Sequence, residues 1–335
     1  MIFNLFMLNI LGKLRGEGEA RSFKNFTTIM AELNADSIVA KGFIRAAACG
    51  MNKITKQYLK SGREIDIQNE YGVTALIEAS WNGHETIVKR LLAKGADINH
   101  QEKDGKTALL GAARFGHVTI VKLLLEKGAD INQQDNDGKT ALMWAVFHEQ
   151  RAVMTTLLEK GADTNRRDKQ GETILMHCVS LGKKEAIFKQ LLKKNADINL
   201  QIQDGFDVLM MAAQVGNKVI AKLLIEKGAD VNRRDNQGWT AVMLAAFEGH
   251  EAIVKLILDK IHPCQVDYHL NCPDECGMTI LMKAAEKGHL EVVKHLIDSG
   301  ADMNLQSMDG WTAIRYAGSK GHKNIVKLLI EHQRR

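Results

Sequence analysis

The chain has 335 residues, 45% of them apolar, with 45 basic and 40 acidic side chains and a net charge of +5. The two signs are interspersed, which argues against the clustered basic stripe of a nucleic-acid binder. Five cysteines show no pairing framework, and the expected setting is reducing and intracellular.

The first segment, 1–37, opens on MIFNLFMLNIL, an apolar run broken by Asn4 and Asn9. It is too short to span a bilayer, which takes about 20 apolar residues. Lys13 and Arg15 follow the run instead of preceding it, and no small-residue cleavage site comes after, so it does not read as a secretory signal. The segment is expected to cap the adjoining domain or to form a tail, with a membrane-surface anchor as the alternative.

From about residue 38 one pattern takes over. A weak first unit holds Phe43, Ala46, Ala47, Gly50, Ile54, Leu59 and Gly62. Then glycines recur at 72, 105, 138, 171, 205, 238, 277 and 310, at spacings of 33, 33, 33, 34, 33, 39 and 33. Seven endings recur with them: AKGADIN, EKGADIN, EKGADTN, KKNADIN, EKGADVN, a degraded version closing on Leu270-Asn271, and DSGADMN. A period of this size marks stacked repeats sharing one elongated core, so a single domain over 38–335 is expected.

Asp104 to Asn132 shows what one unit does. Asp104-Gly105 signals a tight turn. Thr107 stands where a helix N-cap belongs. Ala108, Leu109, Ala112 and Ala113 form a short helix with a small-residue face, which Gly116 ends. A second helix from His117 carries Ile120, Val121, Leu123, Leu124 and Leu125, and Gly128 ends it. The cap slot is filled eight times, by Thr74, Thr107, Thr140, Thr173, Asp207, Thr240, Thr279 and Thr312.

The turn, T-x-L, paired alanines, G-H, I-V-x-x-L-L and G-A-D-x-N resemble the ankyrin repeat, recurring in register about nine times over ~38–335. The resemblance implies an all-α solenoid of stacked helix-turn-helix units with β-hairpin fingers. Two departures stand out. The family's proline after the threonine is absent, and its histidine slot holds Ile77, Leu110, Met143, Met176, Met210, Met243, Met282 and Arg315, so softer hairpins are expected. Glu149 replaces the interhelix glycine in one repeat, and the next has one extra residue between Gly182 and Asn195, so altered curvature is expected over 145–200.

No phosphate loop, H-E-x-x-H or nucleophile elbow occurs. His84, His117, His250, His289 and His322 share one register position and read as structural, so no enzyme is expected. The resemblance implies binding through finger tips and the concave face of the first helices. Tyr71, Trp81, Phe115, Phe147, Phe206, Trp239, Phe247 and Trp311 fall in those exposed slots, with Trp144 one turn before Phe147. Exposed aromatics are frequent interface anchors. Trp81, Phe115 and Phe147 are expected to form a ladder that holds a partner segment. The bland reading is that these rings only seal neighbouring repeats. Arg166-Arg167 and Arg233-Arg234 lie at finger tips, either merely solvated or facing an acidic partner.

The 39-residue interval contains HPCQVDYHLNCPDEC. His262, Cys264, His269, Cys272 and Cys276 could supply zinc ligands but match no standard spacing; a longer finger held by Pro263 and Pro273 is the plainer expectation. The chain is expected to be a monomeric, cofactor-free scaffold or adaptor for a protein partner, not for nucleic acid or membrane. It would act in the cytoplasm or as a secreted effector inside a host cell. The alternatives are a sensor holding a small molecule or nucleotide on the aromatics, and a membrane-associated effector.

Overall fold

Six repeats start on a residue in extended backbone whose side-chain oxygen closes the first helical turn. Thr107 Oγ1 accepts the Leu110 N–H at 3.2 Å, and Thr74, Thr140, Thr240, Thr279 and Asp207 repeat the bond. Thr173 and Thr312 occupy the same slot with extended backbone but make no side-chain cap bond. The expected set of eight caps is therefore six.

The computed structural model describes residues 36–182, 185–261 and 263–334, with side chains described from residue 39 and not at 263–265. The proposed cap or anchor at 1–37 lies almost entirely outside the described residues. The helices fall into two compact units, Met1–Glu159 and Lys160–Arg335. The first unit contains the pairs α1 (Asp36–Ala48) and α2 (Asn52–Lys60), α3 (Ala75–Trp81) and α4 (Glu85–Ala93), α5 (Ala108–Phe115) and α6 (Val118–Glu126), and α7 (Ala141–Phe147) and α8 (Arg151–Glu159). The second contains α9 (Ile174–Ser180) and α10 (Glu185–Leu192), α11 (Val208–Val215) and α12 (Lys218–Glu226), and α13 (Ala241–Phe247) and α14 (Glu251–Leu258). The extra helix α15 (Pro263–Asn271) comes next, then α16 (Ile280–Lys287) and α17 (Leu290–Asp298), and α18 (Ala313–Ser319) and α19 (Lys323–Gln333).

Within each unit first helices pack on first helices through buried alanines such as Ala112 and Ala113, which let the backbones approach. Second helices contribute the larger apolar groups. Ile87, Val88 and Leu91 of α4 are fully buried, each worth about 1.5–3 kcal/mol. The fingers are tight turns rather than strands. Asp135 N–H meets Lys139 O at 3.0 Å and Gly138 N–H meets Asp135 O at 2.9 Å, and one backbone bond, Asn136 N–H to Asp104 O at 2.8 Å, joins one finger to the next, with Asn136 Nδ2 donating to Lys103 O. Among the described residues the only β-bridge is Gln201 with Asp207. The expected β-hairpins are thus reduced to turns, because each finger is too short to extend a ladder.

The G-H pair bridges repeats. His117 Nε2 lies 2.9 Å from Trp81 O, two residues before Gly83, and His84, His250, His289 and His322 make the same contact one repeat back. The imidazole covers the glycine: a Cβ on Gly83 would stand 2.7 Å from His117 Cε1, at a φ of +79°. Gln150 substitutes for the histidine in its repeat, with Nε2 donating to Arg114 O at 3.2 Å. The G-A-D-x-N ending is a second bridge. Asp130 Oδ1 accepts the Asn132 N–H, and Asn99 Oδ1 accepts the Asp130 N–H at 2.9 Å.

The 39-residue interval holds a helix where a longer finger was expected. α15 ends on Asn271, whose Oδ1 accepts the Asp302 N–H at 2.8 Å. The insertion therefore returns the chain to register in the slot that Asn99 fills earlier. Near the other irregularity, Asn195 adopts φ +60° and ends α10 where other repeats use glycine, while 183 and 184 lie outside the described residues.

Candidate interaction surface

The fingers are braced from within. Asp135 Oδ1 accepts the N–H groups of Asp137 and Lys139, while its Oδ2 accepts Trp144 Nε1–H at 2.8 Å. Asp168 with His177, Asp274 with Lys283 and Ser307 with Tyr316 repeat this contact nine residues apart, at 2.8, 2.6 and 3.1 Å. The methionine slot gives no hydrogen bond, as expected, and its side chains are buried. In these four repeats the residue after it supplies the lost bond. The expected softening is therefore offset.

In the first unit the rings lie on this frame. Trp81 donates Nε1–H to Thr107 O at 3.1 Å and covers Gly111, where a Cβ would fall 1.5 Å from Trp81 Cδ1. Arg114 occupies the same register one repeat later. Its guanidinium stands 4.9 Å from the Trp144 ring and 5.3 Å from Phe115. Trp144 meets Phe147 edge-on at 5.9 Å, and Lys139 lies over both rings. Phe115 is 50% exposed; Trp81, Trp144 and Phe147 are half-buried. Trp81, Arg114, Phe115 and Trp144, with Lys106 and Gly111, line a concavity of about 50 Å³. Trp81, Phe115 and Trp144 thus share one cup, and Phe147 joins it through Trp144. Trp81 also seals a repeat boundary, through Thr107 and Gly111.

Tyr71 lies at a finger tip, 62% exposed, and its carbonyl accepts the Lys103 N–H. In the second unit Phe206 is half-buried on a finger. Trp239 and Phe247 meet edge-on at 5.1 Å, with Lys283 3.3 Å above the first ring and Lys287 4.2 Å above the second. Trp311 lies against Tyr316 at 5.2 Å with Arg315 at 4.6 Å. Sequence reading picked the rings but missed the cations. The signal was present: Arg114 sits midway between Trp81 and Phe147 at the 33-residue interval.

The arginine pairs are spent inside the molecule. Arg166 pairs with Asp163, Arg167 donates to Gln201 O, and Arg233 donates to Asn199 O. Arg234 donates to Gly238 O and Pro273 O, and contacts Cys272 Sγ at 2.7 Å.

Of the five expected zinc ligands, the side chains of His262 and Cys264 lie outside the described residues. His269 is buried, and desolvation, then the Arg234 charge, lowers its pKa. Cys272 faces Arg234, a cation that opposes a metal there, and Cys276 is exposed. Among the described residues the one group close enough to share a cation is Asp168, Glu172 and His177. Its core is the same nine-residue brace that Trp144, Lys283 and Tyr316 make without any ion.

Helix pairs braced by fingers and bridged through histidine and asparagine define an all-α repeat solenoid. A family model described as ankyrin repeats (3 copies) matches residues 43–135, 79–168, 130–202, 175–268 and 261–335, and the chain belongs to this family. Ankyrin repeats are generally protein–protein interaction modules, and the family is typically non-catalytic. No curated protein matches this sequence. Among the described residues no helix is long and apolar enough to cross a membrane.

Proposed function

We propose that this chain is a non-catalytic scaffold that captures a partner protein on the first-helix face of its first unit, through Phe115 set between Trp81, Trp144 and Phe147. The observation that carries this reading is Phe115 itself. It is a half-exposed aromatic on a frame whose neighbouring indoles are already fixed by hydrogen bonds to Thr107 and Asp135. Fixed neighbours reduce the entropy lost on docking, and a central aromatic is the usual anchor of an interface. The concavity of about 50 Å³ suits one side chain and falls well short of the ~300–1,000 Å³ of small-ligand sites, so the observation favours a protein over a small molecule. A monomer acting in an intracellular setting belongs to the same proposal.

The test is affinity capture with mass spectrometry, comparing wild type with Phe115→Ala/Phe147→Ala, with a thermal melt of both. The expected outcome is loss of specific captured proteins with little change in melting. Recovery of the same proteins by both would overturn the assignment.

A further inference from the structure

We propose that the cup around Arg114 receives a carboxylate from an acidic segment of the partner protein. The inference rests on the protein-binding reading and adds the chemistry of the partner.

Arg114 is the group that remains unmatched. Its Nε is shut off from solvent and has no acceptor among the described residues. The guanidinium is held by ring faces, Trp144 at 4.9 Å and Phe115 at 5.3 Å, and forms no ion pair among the described residues. The acids nearby are engaged elsewhere. Asp104 pairs with Lys106 at 3.0 Å and Asp137 with Lys139 at 3.5 Å. Asp135 accepts from Trp144 and two backbone N–H groups, and Glu78, one turn before Trp81, accepts from Asn82. What is left is one cation against an aromatic floor, Arg114, while Lys106 and Lys139 are paired with Asp104 and Asp137. A guanidinium offers forked N–H groups that can bind a carboxylate in two places. A partner with an apolar side chain on Phe115 and an Asp or Glu beside it meets both features.

The second unit repeats the chemistry independently. Lys287 is exposed over Phe247 at 4.2 Å, and Arg315 lies 4.6 Å from Trp311. Cation–ring pairs therefore occur in both units, and an acidic side chain is the natural complement of such a cation.

The experiment selects peptides from a random phage-displayed library against the full chain at physiological salt and measures their affinities by fluorescence anisotropy. The expected peptides place Asp or Glu next to an apolar residue and are weakened by Phe115→Ala. Arg114→Gln should weaken them by about tenfold or more, as should changing the peptide's acid to its amide, and the two changes together should not add. Arg114→Lys, which keeps the charge without the fork, should retain acid preference at intermediate affinity and guards against a folding artefact. Peptides that depend on Phe115 but show no acid preference, or that ignore Arg114→Gln, would overturn this inference and leave the protein-binding reading intact. Recovery of no Phe115-dependent peptide would remove both. Equal, Arg114-dependent binding of a single-stranded oligonucleotide would show that the cup takes phosphate and would also overturn the inference.

Discussion

Lys283 Nζ lies 2.6 Å from Asp274 Oδ2 with both side chains almost wholly buried, and the same ammonium stands 3.3 Å above the Trp239 ring. Burial disfavours the charged lysine and lowers its pKa; the Asp274 carboxylate acts in the opposite direction. Removing one member of such a pair strands the other charge. Lys283→Ala is expected to cost about 3–5 kcal/mol, read from chemical denaturation. Lys283→His should cost clearly less, because His177 makes the equivalent contact to Asp168 at 2.8 Å. Equal losses for the two variants would show that the contact nine residues apart is incidental.

Gly83 and His117 constrain each other across a repeat boundary. Gly83→Ala places a Cβ 2.7 Å from the imidazole and adds about 1–2 kcal/mol for a side chain in left-handed backbone. His117→Ala loses a bond worth about 1 kcal/mol. The double variant should be less destabilised than the sum of the two, since removing the ring removes the collision. A double-mutant cycle by urea denaturation measures the difference, and strict additivity would contradict the packing.

Glu149 adopts φ +56°, where its counterparts in other repeats are glycines. Glu149→Gly should therefore stabilise the chain by about 1 kcal/mol. Asn195→Gly, at φ +60°, should gain less, because asparagine tolerates that region better. Paired thermal melts decide the order.

Asp207 is the one carboxylate in the N-cap slot that threonine fills in seven other repeats, and its pKa is raised, chiefly by burial, against the opposing backbone bonds from Met210 and Leu209. A raised folded pKa means that the folded state holds the proton more tightly than the unfolded state. Stability from this group is thus greatest below the unfolded value and falls as pH rises through the folded one. Asp207→Thr, the residue used in the other seven repeats, should gain roughly 0.5–1 kcal/mol at neutral pH. The gain should shrink as pH falls through the ordinary aspartate range near 4. Melting curves at neutral and acid pH test this, and a gain independent of pH would exclude burial of the charge as its source.

The repeat itself was legible because it is written in local chemistry. Threonine before a helix, glycine after it and leucines at helical spacing act within a few residues, so periodicity yielded the nine helix pairs, and the family resemblance pointed to the exposed slots that hold Phe115 and Tyr71. Other features depend on contacts between distant residues. The sequence placed Asn271 at a repeat ending, but nothing local makes Pro263–Asn271 read as a helix, and the bond from Asn271 to Asp302 lies 31 residues away. Arg166-Arg167 and Arg233-Arg234 looked like free charges and became staples, since their acceptors are mostly carbonyls of other fingers. Arg114 was not among the residues singled out in the sequence. Only stacking one repeat on the next, which sets Trp144 beside its guanidinium, leaves it with a ring contact and no ion pair among the described residues.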